Sequence, residues 1–239
     1  MPKAKVTVLP LLIFVLLANS AEVFAQNYNP GVLAGQYVTY GNFVGVGPGV
    51  ASFNDYDWLK LEVTAVSGKE VALLSMGQFK NGTAIPGNNT ATVWNVETGT
   101  EDRVLRTQGP IIAANLNPGD TIPPPNTYTV NNTEDRVYLG IRRSVNILNV
   151  AISTPDYNST LVYVYDRLSG MLLESTSGTT AAAQPEPVTS EYSYSIIETN
   201  IFTSTSIILP PLEMIGLAVA VAAIVIGVAV VVGLKKRSR

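Results

Sequence analysis

Between residues 36 and 202 the apolar positions recur mostly with a period of two, the pattern of strands with one wet face. Leu59, Leu61, Val63 and Ala65 alternate with Lys60, Glu62 and Thr64, and Ser67-Gly68 links this run to residues 70–76. The pair predicts a β-hairpin. Its second arm is apolar on both faces, as a strand covered on both sides would be. Further runs rich in Val, Ile, Tyr and Thr lie at 36–44, 90–95, 136–141, 144–152, 161–165, 171–175 and 192–202. These residue types suit a pleated, half-buried surface. Asn81-Gly82, Pro86-Gly87, Asn117-Pro118-Gly119-Asp120 and Thr154-Pro155-Asp156 punctuate them as turns.

Residues 111–116 form an apolar hexapeptide that reads equally as a short helical turn or a strand. Ile122-Pro123-Pro124-Pro125 reads as an extended surface segment, and residues 177–187, without an apolar period, read as a loop. Long amphipathic helices are otherwise missing from the pattern. The expected fold is mostly β: an antiparallel outer domain, either a curved meander sheet or a sandwich, plus one C-terminal transmembrane helix.

That helix is the clearest departure from period two. Residues 214–234 carry no charge over 21 positions, and Lys235-Lys236-Arg237-Ser238-Arg239 follows at once. At about 1.5 Å per residue such a helix covers roughly the 30 Å hydrocarbon core. At the other end, Lys3 and Lys5 precede an apolar run over 6–18, and Val23-Phe24-Ala25 offers a cleavage site before Gln26. This is the layout of a secretory signal peptide, its apolar run too short to span a bilayer. The expected organisation is a signal peptide at 1–25, an extracytoplasmic β-rich domain at 26–203, a juxtamembrane tether at 204–213, the span at 214–234 and a cytoplasmic basic tail at 235–239. The positive-inside preference keeps that tail in the cytoplasm. The localisation that follows is the cell membrane, single-pass, with the large domain outside.

Composition narrows the chemistry. The chain has no cysteine and no histidine. Disulfides, thiol nucleophiles, Cys or His zinc sites, haem ligation by His and Ser-His-Asp triads are therefore closed to it. Residues 26–212 hold nine Lys plus Arg and 16 Asp plus Glu, a net of −7. No cationic stripe is present to neutralise phosphates, so nucleic acid is not an expected partner. The expected partners are the membrane and a surface protein, glycan or lipid, with no cofactor.

Four Asn-x-Ser/Thr sequons, at Asn81, Asn88, Asn131 and Asn158, fall in turn-like segments of the outer domain and are glycosylation candidates. Asn54-Asp55-Tyr56-Asp57 places carboxylates close enough to share a cation such as calcium, but lacks the rest of an EF-hand loop. Asp55 with Glu62, or Asp166 with Glu174, are the carboxylate pairs a glycosidase would need, at a separation no sequence fixes. Ser67-Gly68-Lys69 is a weak Ser-Lys candidate, since a hairpin tip leaves the lysine protonated. Gly45-Val46-Gly47-Pro48-Gly49 precedes no helix start and so is no phosphate cradle. Leu209-Pro210-Pro211-Leu212-Glu213 is sortase-like in place but not in sequence, so the helix is expected to be retained. Within it Gly216, Ala220, Ala223 and Gly227 line one face, a candidate surface for lateral self-association into a homo-oligomer. No residue is assigned a catalytic, cofactor-binding or metal-binding role.

One internal echo stands out. Val93-Trp94-Asn95-Val96-Glu97-Thr98-Gly99 parallels Val164-Tyr165-Asp166-Arg167-Leu168-Ser169-Gly170. Each reads as a hairpin turn in which an Asx side chain bonds the backbone.

Residues 58–68, 111–120, 165–174 and 195–202, the last with Glu198-Thr199-Asn200, together resemble a loose group of archaeal single-pass cell-surface proteins. These have a signal peptide, a β-rich outer domain and one C-terminal span. The resemblance covers most of residues 30–203. It implies architecture and location only, because its motifs are turn and strand signatures. The succession of hairpins is also similar, at the level of fold alone, to the curved sheets of bacterial lipoprotein carriers.

The reading favours a non-enzymatic, membrane-anchored surface module for interaction or envelope structure. An apolar-ligand carrier and a carboxylate-dependent hydrolase are the alternatives.

Overall fold

A computed structural model of the chain describes residues 28–98, 109–122, 128–182 and 186–202. The expected signal peptide, span and basic tail, with Gly216, Ala220, Ala223 and Gly227, lie outside these residues. Among the described residues no helix is long and apolar enough to cross a membrane.

The domain is mostly β. Nine of its strands form one antiparallel sheet: β1 (Tyr37–Val46), β2 (Tyr56–Ser67), β3 (Glu70–Phe79), β4 (Thr90–Asn95), β7 (Asn132–Tyr138), β8 (Ile141–Ser153), β9 (Tyr157–Asp166), β10 (Leu172–Ala181) and β11 (Val188–Thr199). A two-residue ribbon, β5 (Thr121–Ile122) with β6 (Tyr128–Thr129), stands apart. The order across the sheet is β4-β3-β2-β1-β11-β10-β9-β8-β7. The chain thus starts in the middle, meanders to one edge, crosses over, and meanders back from the other edge until β11 pairs with β1. Of the two expected architectures this is the meander, with no second large sheet among the described residues.

The predicted hairpin is β2–β3, closed by Ser67 opposite Glu70 with Gly68 at φ +57°. Thr90–Asn95 is a strand within its expected bounds. Three expectations are corrected. Residues 136–141 are not one strand, because Leu139 (φ +51°) and Gly140 (φ +78°) make a two-residue turn between β7 and β8. Residues 177–181 are not loop but the outer half of β10, paired with both β9 and β11. That stretch (Ser-Gly-Thr-Thr-Ala) sits beyond the core, so backbone ladders on both sides hold it with no apolar period to betray it. Residues 111–116 are neither helix nor strand. Ile111 makes one isolated bridge to Met171, and the segment then turns at Asn115 (φ +59°).

This hexapeptide is the lid of the core. Ile111, Ile112, Ala113 and Leu116 are buried with Val32 against Tyr40, Tyr163, Tyr165, Met171 and Leu173 of the sheet. Backbone bonds fasten it: Ile112 N–H donates to the Gly170 carbonyl (2.9 Å), Leu172 N–H to Pro110 (3.0 Å) and Ala114 N–H to Asn29 (2.8 Å). The fully buried Asn146 amide donates to the Leu116 carbonyl (3.0 Å) and accepts from the Thr133 hydroxyl (2.6 Å). Buried polar groups so matched are what keep a lid in one register.

Strand direction gives the sheet two ends. At the lower end lie the β7–β8 and β9–β10 turns, the first residue of β1 and the last of β11. At the upper end lie the β8–β9 turn (154–156) and the β10–β11 turn, while the β3–β4 connection (80–89) closes level with the first half of β1, since Ser75 and Gly77 of β3 align through Leu61 and Leu59 with Val38 and Tyr40.

Candidate functional site

Asp166, one of the candidate hydrolytic carboxylates, is the most enclosed charge among the described groups. Its side chain is 0% exposed and faces Arg143, which is 13% exposed. Arg143 Nε and Nη2 donate to its two oxygens (2.7 and 2.9 Å), and the Ser169 N–H and hydroxyl donate to Oδ2 (2.9 and 2.7 Å). The guanidinium in turn lies over the Phe202 ring, 4.8 Å from its centroid. Both Asp166 oxygens thus have a use here: they neutralise an arginine and form the Asx turn that carries the chain from β9 to β10. Gly170 ends that turn at φ +75°, and a Cβ there would meet the Ile112 carbonyl oxygen at 2.0 Å.

Glu174, its proposed partner, points into a separate network. It accepts from Arg136 Nη1 (3.4 Å) and the Tyr138 hydroxyl (3.0 Å), while Arg136 Nε donates to Glu134 (2.6 Å). Burial, with the Glu174 charge adding to it, pushes the Tyr138 phenol up to about 12. Arg136 thus ties edge strand β7 to β10, and Arg143 ties β8 to β9. The second candidate pair is no closer to a site: Glu62 is bound to Lys60 (2.9 Å), and Asp55 engages the Lys80 N–H through its backbone carbonyl (2.8 Å).

The remaining sequence candidates are absorbed by structure. Residues Ala51–Asp55 form a 3-10 turn. In it Asn54 spends its amide on Gly45, accepting from the N–H (3.0 Å) and donating to the carbonyl (2.7 Å). The Asn54-Asp55-Tyr56-Asp57 run therefore lacks a free amide ligand, and the Gly45–Gly49 run turns on that bracket. Lys69, at the β2–β3 tip, is ion-paired to Glu97. Both halves of the echo are Asx turns, Asn95 Oδ1 accepting from Glu97 and Thr98 N–H (2.9 and 3.1 Å) as Asp166 does from Ser169, but among the described residues only the second closes a hairpin, because β4 is an edge strand paired with β3 alone.

The sequons share a geometry. In each, the asparagine Oδ1 is the atom engaged: by Thr83 N–H at Asn81 (2.9 Å), Gly77 N–H at Asn88 (2.7 Å), Asn149 N–H at Asn131 (2.6 Å) and the Ser153 hydroxyl at Asn158 (2.5 Å). Nδ2 is the atom that would carry a glycan. Asn81, Asn131 and Asn158 are exposed and Asn88 half-buried. Asn81 and Asn88 lie in the β3–β4 connection, Asn158 beside the β8–β9 turn, and Asn131 just before β7 in the upper half of β8's ladder. They do not share one level of the sheet: Asn88, bound to Gly77, stands level with Leu59 and Tyr40 near the start of β1, whereas Asn158 faces Ser153 at the far ends of β8 and β9.

The feature that sequence reading missed is aromatic. Tyr40, Phe43, Phe53, Tyr56, Phe79, Tyr192 and Tyr194 form one network of rings on the inner face. Tyr40 meets Tyr194 edge-on (5.4 Å between centroids), Phe53 stacks on Tyr192 (4.8 Å) and Tyr56 lies against Phe79 (5.0 Å). Phe53, Tyr56, Phe79 and Tyr192 are half-buried. Burial raises the phenols of Tyr40, Tyr163, Tyr165 and Tyr194 above their ordinary range. Tyr192 and Tyr194, two apart on one strand, were the available signal.

No protein-family model matches this chain, and neither does any curated protein.

Proposed function

We propose that the chain is a membrane-anchored cell-surface module that acts by contact, in interaction or envelope structure, and not by turnover. The observation that carries this reading is the uncharged apolar run 214–234 with its basic cluster, taken with sequon asparagines of which three, Asn81, Asn131 and Asn158, are exposed on the described domain. Hydrophilic glycans there would keep a surface domain soluble and spaced. Among the carboxylates named as hydrolytic, Asp166, Glu174 and Glu62 are already neutralised by Arg143, Arg136 and Lys60. The test uses the full chain in its native membrane. Stepwise Asn→Gln substitution at the sequons should remove discrete mass increments, and cross-linking on intact cells should capture a surface protein or glycan. Unmodified protein with no cross-linked partner, or turnover of a substrate by the purified chain, would overturn the reading.

The half-buried rings favour one second reading, an apolar-ligand shelter at the upper end of the inner face. Tyr40, Tyr163, Tyr165, Met171 and Leu173 already fill the lower part. Native mass spectrometry of the detergent-released chain would show a co-purified lipid lost on Phe53→Ala and Tyr192→Ala.

A further inference from the structure

The lower end of the domain carries apolar side chains that the fold leaves in water. Val137 is 69% exposed, Leu139 49%, Ile141 40%, Leu168 42% and Leu33 60%. Three of these occupy one hairpin tip, and the other two lie on segments that approach each other, since a Cβ on Gly31 would stand 1.9 Å from the Leu168 carbonyl oxygen. The tip is also locally strained. Leu139 holds φ +51° in a two-residue turn whose chemistry asks for Asn, Asp or Gly. A leucine that destabilises its own turn and stays half in solvent has no folding rationale. Beside it Arg142, with 76% of its side chain exposed, supplies a cation paired with the half-exposed Asp135 (3.0 Å).

The chain leaves the domain at this same end. Phe202 lies against Arg143, two residues from Ile141 on β8, or about 7 Å along the strand. Eleven residues, 203–213, then separate it from the apolar residues 214–234. A tether of that length reaches at most about 35–40 Å.

We infer that the β7–β8 hairpin tip, with Leu168 and Leu33 on the same end of the sheet, seats in the interfacial layer of the lipid bilayer that holds the chain. Val137, Leu139 and Ile141 enter the acyl boundary, and Arg142 snorkels to lipid phosphates. The β8–β9 turn, with Asn158 beside it, then stands away from the membrane. This inference rests on the anchored reading above, and the experiment separates the two.

The chain has no native cysteine, so single-cysteine variants label cleanly. Full-length Leu139→Cys, Leu168→Cys, Asn158→Cys and Ala223→Cys would carry an environment-sensitive fluorophore in phosphatidylglycerol–phosphatidylcholine vesicles. Lipids bearing a nitroxide at headgroup depth, and an aqueous quencher, would probe each in turn. The labels at 139 and 168 should emit blue-shifted light, be quenched by the lipid nitroxide and resist the aqueous quencher several-fold better than the label at 158. With the probe at 168, adding Leu139→Asn should by itself reduce lipid quenching. If 223 reports lipid while 139 and 168 match 158, the docking inference falls and the anchor stands. If 223 also reports water, both fall.

Discussion

Replacing Asp166 with asparagine removes one negative charge from a site that holds two fully engaged ions. The carboxylate is 0% exposed and the facing guanidinium 13% exposed, so the Asp166→Asn variant leaves Arg143 largely desolvated and unpaired. Such a change costs about 3–5 kcal/mol. The Asn retains one carbonyl oxygen for the Ser169 N–H and hydroxyl, so the turn itself, worth about 1 kcal/mol per bond, is mostly spared. Arg143→Met should cost a similar amount by stranding the carboxylate. Combining the two removes both charges while keeping the turn acceptor. The double variant should therefore be more stable than the sum of the singles predicts, by about 1–3 kcal/mol of coupling. Urea unfolding of the full chain in detergent, followed through the buried Trp94, measures all three. A catalytic carboxylate held at a cost would behave oppositely, its removal raising stability. An Asp166→Asn variant within about 1 kcal/mol of the parent, or strict additivity of the pair, would refute the structural role given to Asp166.

Other perturbations follow from single positions. Gly170→Ala must place a Cβ 2.0 Å from the Ile112 oxygen at a left-handed φ, and should destabilise the domain by about 2–4 kcal/mol in the same unfolding assay. Leu139→Asn relieves the left-handed turn between β7 and β8 and should stabilise the domain by about 1 kcal/mol, a gain that a rise in thermal midpoint would register. At alkaline pH the buried phenols matter. Their folded pKa values lie above the ordinary 10 because burial disfavours the phenolate. Below pH 10 the phenols are neutral in both states and the full stability is present. Above it the unfolded chain releases protons that the folded one keeps, so stability falls as pH rises from 10 through the value of about 12 for Tyr138. Phenolate absorbance and loss of near-ultraviolet dichroism should rise together across that window; ionisation of all phenols at about pH 10 with structure intact would contradict the burial.

Period two exposed most of the sheet in advance, because strands with one wet face must alternate where they cover a core. It failed where that condition lapses. The outer half of β10 is Ser, Gly and Thr between two ladders, and nothing in its side chains marks it as strand. Leu139 hid a turn, since a leucine in a run of Val, Tyr and Ile reads as strand continuing through. Residues 111–116 announced burial correctly but not shape: lid segments take their path from hydrogen bonds to Asn29, Gly170 and Leu172, all distant in sequence. The same limit governs the sites. Each sequon and each Asx turn is local and was legible. The pairing of Arg143 with Asp166 and the ring network depend on which strands neighbour one another and in what register.

The proposed role stands or falls with the side of the membrane that each end of the chain occupies. In intact cells, a membrane-impermeant thiol reagent offered to full-length Asn158→Cys and Ser238→Cys variants reads this directly. The cysteine at 158 should label at once, and that at 238 only after permeabilisation. Labelling of 238 in intact cells, or protection of 158, would contradict the anchored, outward-facing topology.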